Sequence, residues 1–332
     1  MTRRKVSALL AVATVALTAG CATGPGADGN PADAESEAAA SPRIAFIPGI
    51  SSDPFFVAME IAAQEQAEAL GFELIYQGSS SDYSPQSQLP FVESALADDI
   101  DALIIAPTDG DALQAAVQRA TAQGIPVITV DTTVTDQSEL VSHVTGDNED
   151  GGRQAAIAMA ELVGGEGQVF VISGAPTITT DTQRVEGFVE EIESNHPDIE
   201  IVGIEYAYSQ PSEATTKVNA ALLNYPGLAG VFAVEGNSGV GAVAALRNAD
   251  AIGDVALIGY DAYSNQVAEL EAGLYSALIA QDPAQEARIA IEFALAAIEG
   301  RDDEIEAEIV IPNVVMTAEN LAETRQYQYA EK

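Results

Sequence analysis

Between residues 43 and 299, short apolar runs alternate with longer amphipathic segments, and that alternation limits the folds open to the chain. The runs RIAFIP (43–48), ALIIA (102–106) and PVITV (126–130) are apolar almost throughout. Each therefore reads as a strand buried on both faces. Such strands belong to parallel sheets, whose crossover helices cover both sides. Further strands are expected at 72–76, 168–172, 199–205, 230–234 and 255–260. Helical spacing predicts helices at 55–70, 86–97, 111–122, 155–162, 182–194, 212–224, 239–247 and near 283–299, with Gly71 and Gly124 at helix ends. The fold class is α/β, with doubly wound parallel sheets. Roughly 280 residues in this pattern exceed one compact sheet, so two α/β domains are expected. Ligands of such sheets bind beyond the carboxyl ends of the strands, which makes the residues after each strand the candidates.

Composition narrows the function. Of 332 residues 47% are hydrophobic, enough to fill two cores and too many for a disordered chain. Asp and Glu number 51 against 13 Lys and Arg, a net charge of −38, which repels phosphate backbones and argues against a nucleic-acid partner. The acid is spread along the chain and reads as a solvated surface, of the kind that concentrated salt stabilises by screening. A single cysteine excludes an internal disulfide, a Cys-based zinc site and a Cys-ligated iron–sulfur cluster. Two distant histidines, His143 and His196, make no metal pair, and Asp147–Asp150 lacks the twelve-residue calcium loop. No Ser/His/Asp or Cys/His arrangement is present, and GNSG (236–239) lacks nucleophile-elbow spacing, so the chain is read as no enzyme and as needing no cofactor.

The amino terminus reads as an address. Arg3, Arg4 and Lys5 precede an apolar run at 6–19 that is short for a bilayer span but suits a signal peptide, residues 1–20. The stretch LTAGC (17–21) ends in the one cysteine and resembles the lipobox of bacterial lipoproteins, with Thr18 where Leu is commonest. That resemblance implies lipidation at Cys21. Residues 21–42 are small, acidic and dotted with Gly and Pro, a flexible acidic tether.

The strand-end segments carry a second resemblance. Ser51–Phe56 follows the first strand, then come Pro107-Thr108-Asp109, Asp131-Thr132, Gly146–Gly152, Arg184–Phe188, Gly259-Tyr260-Asp261 and Gln281-Asp282-Pro283. In this order they resemble the sugar-binding proteins of bacterial ABC importers, of the ribose/galactose type, over roughly residues 43–312. The resemblance implies two similar lobes joined by three crossover strands, with the ligand in the cleft between them. It implies a first lobe of 43–145 plus 282–310, a second of 146–281 plus 311–324, and a loosely attached tail at 325–332. It further implies an extracytoplasmic monomer that closes on a small-molecule sugar or polyol and delivers it to an ABC permease, held at the membrane by the lipid on Cys21. Repressors of the lactose type share this core but need an amino-terminal DNA-binding helix pair, and here a signal stands in its place. A sensory partner in signalling is the alternative to a permease.

Sugar recognition needs hydrogen-bonding side chains on the hydroxyl rim and an aromatic plane on the ring face. Phe55 and Phe56 stand where the family places its stacking aromatics. Asp53 falls where the family often has Asn and also suits a helix N-cap. Asp131 and Asp261 are the strand-end carboxylates of the two lobes, and Gln281 sits at a crossover. Thr182 occupies the position of a ligand-contacting Arg in ribose binders, whereas Arg184 matches a family arginine that is structural. Glu235 or Asn237 takes the place of the family's Asn-Asp pair. These carboxylates then lack a matched cation, which points to a neutral polyol or a cationic ligand such as an amino sugar.

Overall fold

The computed structural model describes residues 41–332; the expected signal peptide, the expected lipidation site Cys21 and the expected tether up to residue 40 lie outside the described residues. In chain order the elements are β1 (Arg43–Ile47), α1 (Pro54–Leu70), β2 (Glu73–Tyr76), α2 (Pro85–Ala97), β3 (Ala102–Ile105), α3 (Gly110–Ala122), β4 (Val127–Val130) and β5 (Ser142–Gly146). There follow α4 (Asn148–Leu162), β6 (Gly167–Ser173), α5 (Thr179–Asn195), β7 (Ile199–Tyr206), α6 (Pro211–Asn224), β8 (Leu228–Ala233), α7 (Gly236–Asn248) and β9 (Ala256–Tyr260). The chain ends with α8 (Ser264–Glu271), β10 (Ala277–Ala280), α9 (Pro283–Ile298), β11 (Glu308–Ile311), β12 (Val314–Met316) and α10 (Leu321–Thr324).

The strands form two six-stranded sheets, ordered β11-β5-β4-β3-β1-β2 and β12-β10-β9-β8-β6-β7. Every pairing is parallel except that of β12 with β10. Both faces of each sheet are covered, as uninterrupted apolar strands require. In the first lobe Ile44, Phe46 and Ile104 pack with Met59 of α1 and Ile291 of α9. On the opposite face Ala45, Ile47 and Leu103 meet Val92 of α2 and Leu113 and Val117 of α3. In the second lobe Val171 and Phe232 pack with Met159 of α4 and Phe188 of α5, the two Phe rings stacked at 4.8 Å.

The chain passes between the sheets three times: from β5 to α4, from β10 to α9, and from β11 to β12. The crossings touch each other. Asp147 N–H donates to the Ile311 carbonyl at 2.8 Å, and the Asn313 amide donates to the Asp147 carbonyl and the Tyr260 hydroxyl, each at 2.7 Å.

Several helices begin earlier than their apolar spacing predicts, because carboxylates at strand ends cap them. Asp147 accepts from Asp150 N–H at 3.2 Å, so Asp147–Asp150 starts α4 instead of forming a loop. Glu235 accepts from the N–H groups of Asn237 and Ser238 and starts α7 inside a glycine-rich stretch. Strand β2 begins one residue late, leaving Phe72 as a buried plug beneath it.

The carboxyl-terminal tail corrects an expectation. Residues 325–332 are fastened rather than loose, since Tyr329 is buried and its N–H donates to the Ala262 carbonyl at 2.9 Å. Gln328 donates to Ser264 Oγ at 3.0 Å in the second lobe, and Lys332 Nζ pairs with Glu60 on α1 of the first lobe at 2.6 Å. The buried Tyr329 ring, its hydrogen bonds and the Lys332–Glu60 ion pair act together against the lost freedom of the segment.

Candidate functional site

The carboxyl ends of the two sheets face each other across a cavity of about 60 Å³. Of the nine residues expected to bind, Asp53, Phe55, Phe56, Asp131, Glu235, Asn237, Asp261 and Gln281 line this cavity. Thr182 does not. Helix α5 begins at Thr179, and its register turns Thr180, Asp181 and Arg184 inward while the Thr182 hydroxyl donates back to the carbonyls of Pro176 and Ile178.

Asp131 and Asp261 occupy equivalent places, each the first residue after a central strand, β4 and β9. Both have left-handed backbones, φ 59° and 77°, which non-glycine residues rarely adopt. Their N–H groups donate to Val144 and Ile279 on the neighbouring strands at 2.9 and 2.8 Å, which holds the kink in place. Strained residues at paired strand ends mark a functional site.

The carboxylates differ sharply in their partners. Asp53 caps α1 through Phe55 N–H and also accepts from the Tyr263 hydroxyl at 2.8 Å and the Asn237 amide at 3.1 Å. It thereby ties the first lobe to the second. Asp181 accepts from the N–H groups of Gly174 and Ala175 and from Ser173 Oγ. Glu235 is occupied as the cap of α7, while Asp261 accepts from Gly236 N–H, Gln281 and the Tyr329 hydroxyl. Asp131 is 8% exposed, and no hydrogen bond from a described residue reaches its carboxylate.

The buried cation expected to be missing is present as Arg184, 3% exposed. Its Nε donates to Asn148, one terminal nitrogen to the Val234 carbonyl and the other to Gln281, at 2.8, 3.2 and 3.0 Å. The guanidinium lies 3.8 Å from the centre of the Tyr260 ring, a cation–π contact. Burial dominates the titration of the acids. It pushes Asp53 up to about 6, with the Asp261 charge adding to it, and Asp131 up to about 7 against the opposing pull of Arg184. Glu235 rises to about 8, burial first and the Asp181 charge second.

Phe55 and Phe56 meet edge to face at 5.2 Å, with Tyr329 edge-on to Phe55 at 5.8 Å. Tyr83, Thr180, Asp181, Arg184, Ser209 and Tyr263 complete the polar and aromatic lining. Arg184 was set aside as structural and the others were missed; Tyr83, Ser209 and Tyr263 lie in segments that follow strands, where the strand-end rule points, whereas Thr180 and Asp181 sit inside α5.

The model of the periplasmic binding protein domain matches residues 44–302. The chain belongs to that family. It is 29% identical over 274 residues to the ribose import binding protein of Escherichia coli, covering 81% of this chain and 89% of the relative. The xylitol-binding protein of Mycolicibacterium smegmatis is 26% identical over 266 residues, 78% of this chain and 75% of that one. An ABC transporter solute-binding protein from Agrobacterium vitis, solved with α-D-tagatopyranose, superposes with a TM-score of 0.84 at 31% identity, over 88% of this chain and all of that one. The two lobes of mostly parallel strands are shared with that solved structure, and the family's members serve in transport.

Proposed function

We propose that this chain is the extracytoplasmic binding component of a sugar importer, closing its lobes on a sugar or polyol and presenting it to an ABC permease. The observation that carries this reading is the cavity itself. It is lined by Asp131, whose carboxylate accepts no hydrogen bond from a described residue, and by Tyr83, Thr180, Asn237, Phe55 and Phe56, at the meeting of two lobes. Hydroxyl-accepting groups around aromatic surface suit a polyhydroxylated ring. The relatives named for ribose and xylitol, and the neighbour holding tagatose, support the same ligand class.

The lobes are proposed as 43–145 plus 282–310 and 146–281 plus 311–324, with the tail at 325–332 fastened across both. Lipidation at Cys21 after loss of residues 1–20 would hold the protein at the outer face of the membrane, with residues 22–42 as tether. Thermal shift with an external dye tests the binding, since the chain has no tryptophan. A true ligand at a hundredfold excess over its dissociation constant adds about 2.7 kcal/mol of stability. Pentoses, hexoses and polyols that leave the melting temperature unmoved would defeat the reading. Mass spectrometry of the membrane-extracted protein checks the acylated Cys21.

A further inference from the structure

Five carboxyl groups line the cavity, from Asp53, Asp131, Asp181, Glu235 and Asp261, against the single guanidinium of Arg184. Four of the five already receive N–H or O–H donors from the protein. Three of the five N–H groups of Arg184 go to protein acceptors, so its charge serves the scaffold first. Asp131 stands apart: more than nine-tenths buried, turned into the cavity by its left-handed backbone, and without a donor among the described residues. Glu286 on α9 is wholly buried, and neither of its carboxylate oxygens has a hydrogen-bond partner among the described residues. The Asp131 charge acts on Glu286, and burial raises the Glu286 carboxyl well above the usual range.

The charges that act on Asp131 are Arg184, which favours its ionised form, and the acids Asp261, Asp181, Asp53 and Glu286, which oppose it. A neutral hydroxyl gives Asp131 one donor and leaves this field unchanged. An ammonium group gives up to three donors and a positive charge, and charge-assisted hydrogen bonds are the stronger kind. We propose that the ligand carries an ammonium group seated on Asp131, as an amino sugar or amino polyol does. This rests on the reading that the cavity holds a sugar or polyol, and it names the class within it.

Isothermal titration of the purified protein separates the two statements. The probes are D-glucosamine, D-galactosamine, D-mannosamine and 1-amino-1-deoxysorbitol, each beside its neutral parent and, for the hexosamines, its N-acetyl form, at low salt and with the amine protonated. One amine is expected to bind at least tenfold more tightly than both its parent and its uncharged N-acetyl counterpart. The Asp131→Asn variant, which keeps the shape, is expected to lose that preference while its unliganded melting temperature stays within a few degrees of wild type. A parent sugar that binds as tightly as its amine overturns the proposal and leaves the sugar reading standing. An amine preference that survives Asp131→Asn also overturns it, because the seat then lies elsewhere. Failure of every amine and every neutral sugar defeats both readings together.

Discussion

Replacing Arg184 with methionine removes one cation from the centre of the acid cluster while keeping an unbranched chain of similar length. The guanidinium donates to Asn148, Val234 and Gln281 and lies 4.0 Å from the Asp181 carboxylate, all out of contact with bulk water. Each buried acceptor left without its donor costs about 1–3 kcal/mol. Breaking a buried charge cluster by removing one member costs about 3–5 kcal/mol. These figures describe overlapping losses, so the deficit at pH 8 is about 4 kcal/mol. At roughly 2–4 °C per kcal/mol for a chain somewhat smaller than this one, the melting temperature falls by about 8–16 °C. The deficit depends on pH with a definite sign. Asp131 and Asp181 titrate in the folded protein near about 7 and about 6, above their ordinary 3.8, so the folded state holds more protons than the unfolded state between those values. Stability from this source is complete below about pH 4 and is lost as pH rises through about 6 to 7. Without the guanidinium both carboxyls rise further, so acidification to pH 5 neutralises them and restores part of the deficit. Urea and thermal unfolding at pH 5, 6.5 and 8 measure this directly. An equal deficit at all three would show that Arg184 acts through shape alone and would refute the charge argument.

Three other expectations follow from the same geometry. A Cβ on Gly152 of α4 would run into the Arg184 carbonyl of α5, and one on Gly187 would meet the Glu149 carbonyl in return. Overpacking of this kind costs about 3 kcal/mol, offset by about 1 kcal/mol of helix propensity, so Gly152→Ala should destabilise by about 2 kcal/mol and weaken ligand binding by displacing Arg184; an unchanged melting temperature would contradict the close contact. Tyr329→Phe deletes one hydrogen bond to the Asp261 carboxylate and should cost about 1.5–3 kcal/mol in thermal unfolding, and deletion of residues 325–332 should cost more; a neutral result for both would mean the tail is not a strap. Added salt should raise the melting temperature from low to molar concentration, because 51 acids face 13 bases, and a flat response would count against surface repulsion as a destabilising force.

With the exception of the four-residue β10, Ala277–Ala280, strands buried on both faces that no polar residue interrupts were legible in the sequence, as in Ala102–Ile105. Strand β5 was not, for it reads Ser-His-Val-Thr-Gly and is nonetheless buried throughout. Its polarity is absorbed locally: His143 Nδ1 shares a 2.9 Å hydrogen bond with Thr129, and Thr145 donates to the Asp131 carbonyl at 2.8 Å. Hydropathy cannot register side chains whose partners lie on another strand. The cavity was largely legible from strand ends, since Asp53, Asp131, Asp261 and Gln281 all follow strands directly or within a short turn. The exchange of Thr182 for Thr180, Asp181 and Arg184 was hidden because it depends on the register of α5, whose start carries no side-chain cap to announce it. Tyr329 was hidden for a different reason. One of two tyrosines in a polar tail declares nothing until Asp261 and Phe55 are seen beside it.

The placement of the acids bears on what closing the lobes requires. Asp53 and Asp131 come from the first lobe, whereas Asp181, Glu235 and Asp261 come from the second, so bringing the lobes together brings like charges together. Direct bonds across the gap include Tyr263 and Asn237 to Asp53, and Thr133 N–H to Thr179 Oγ1 at 3.3 Å. At about 1 kcal/mol each, somewhat more where the acceptor is charged, these amount to only a few kcal/mol. Several carboxylates confined in one poorly solvated cavity repel on a comparable scale. On the reading proposed above, these bonds favour closure, the protein's own carboxyls oppose it, and a group that meets Asp131 adds to the closed state. A bound group that donates to Asp131 in one lobe and touches the second-lobe residues around Arg184 is held only when both lobes are in place. Its binding energy therefore falls on the closed state alone, which is the condition for a ligand to shift a two-state equilibrium.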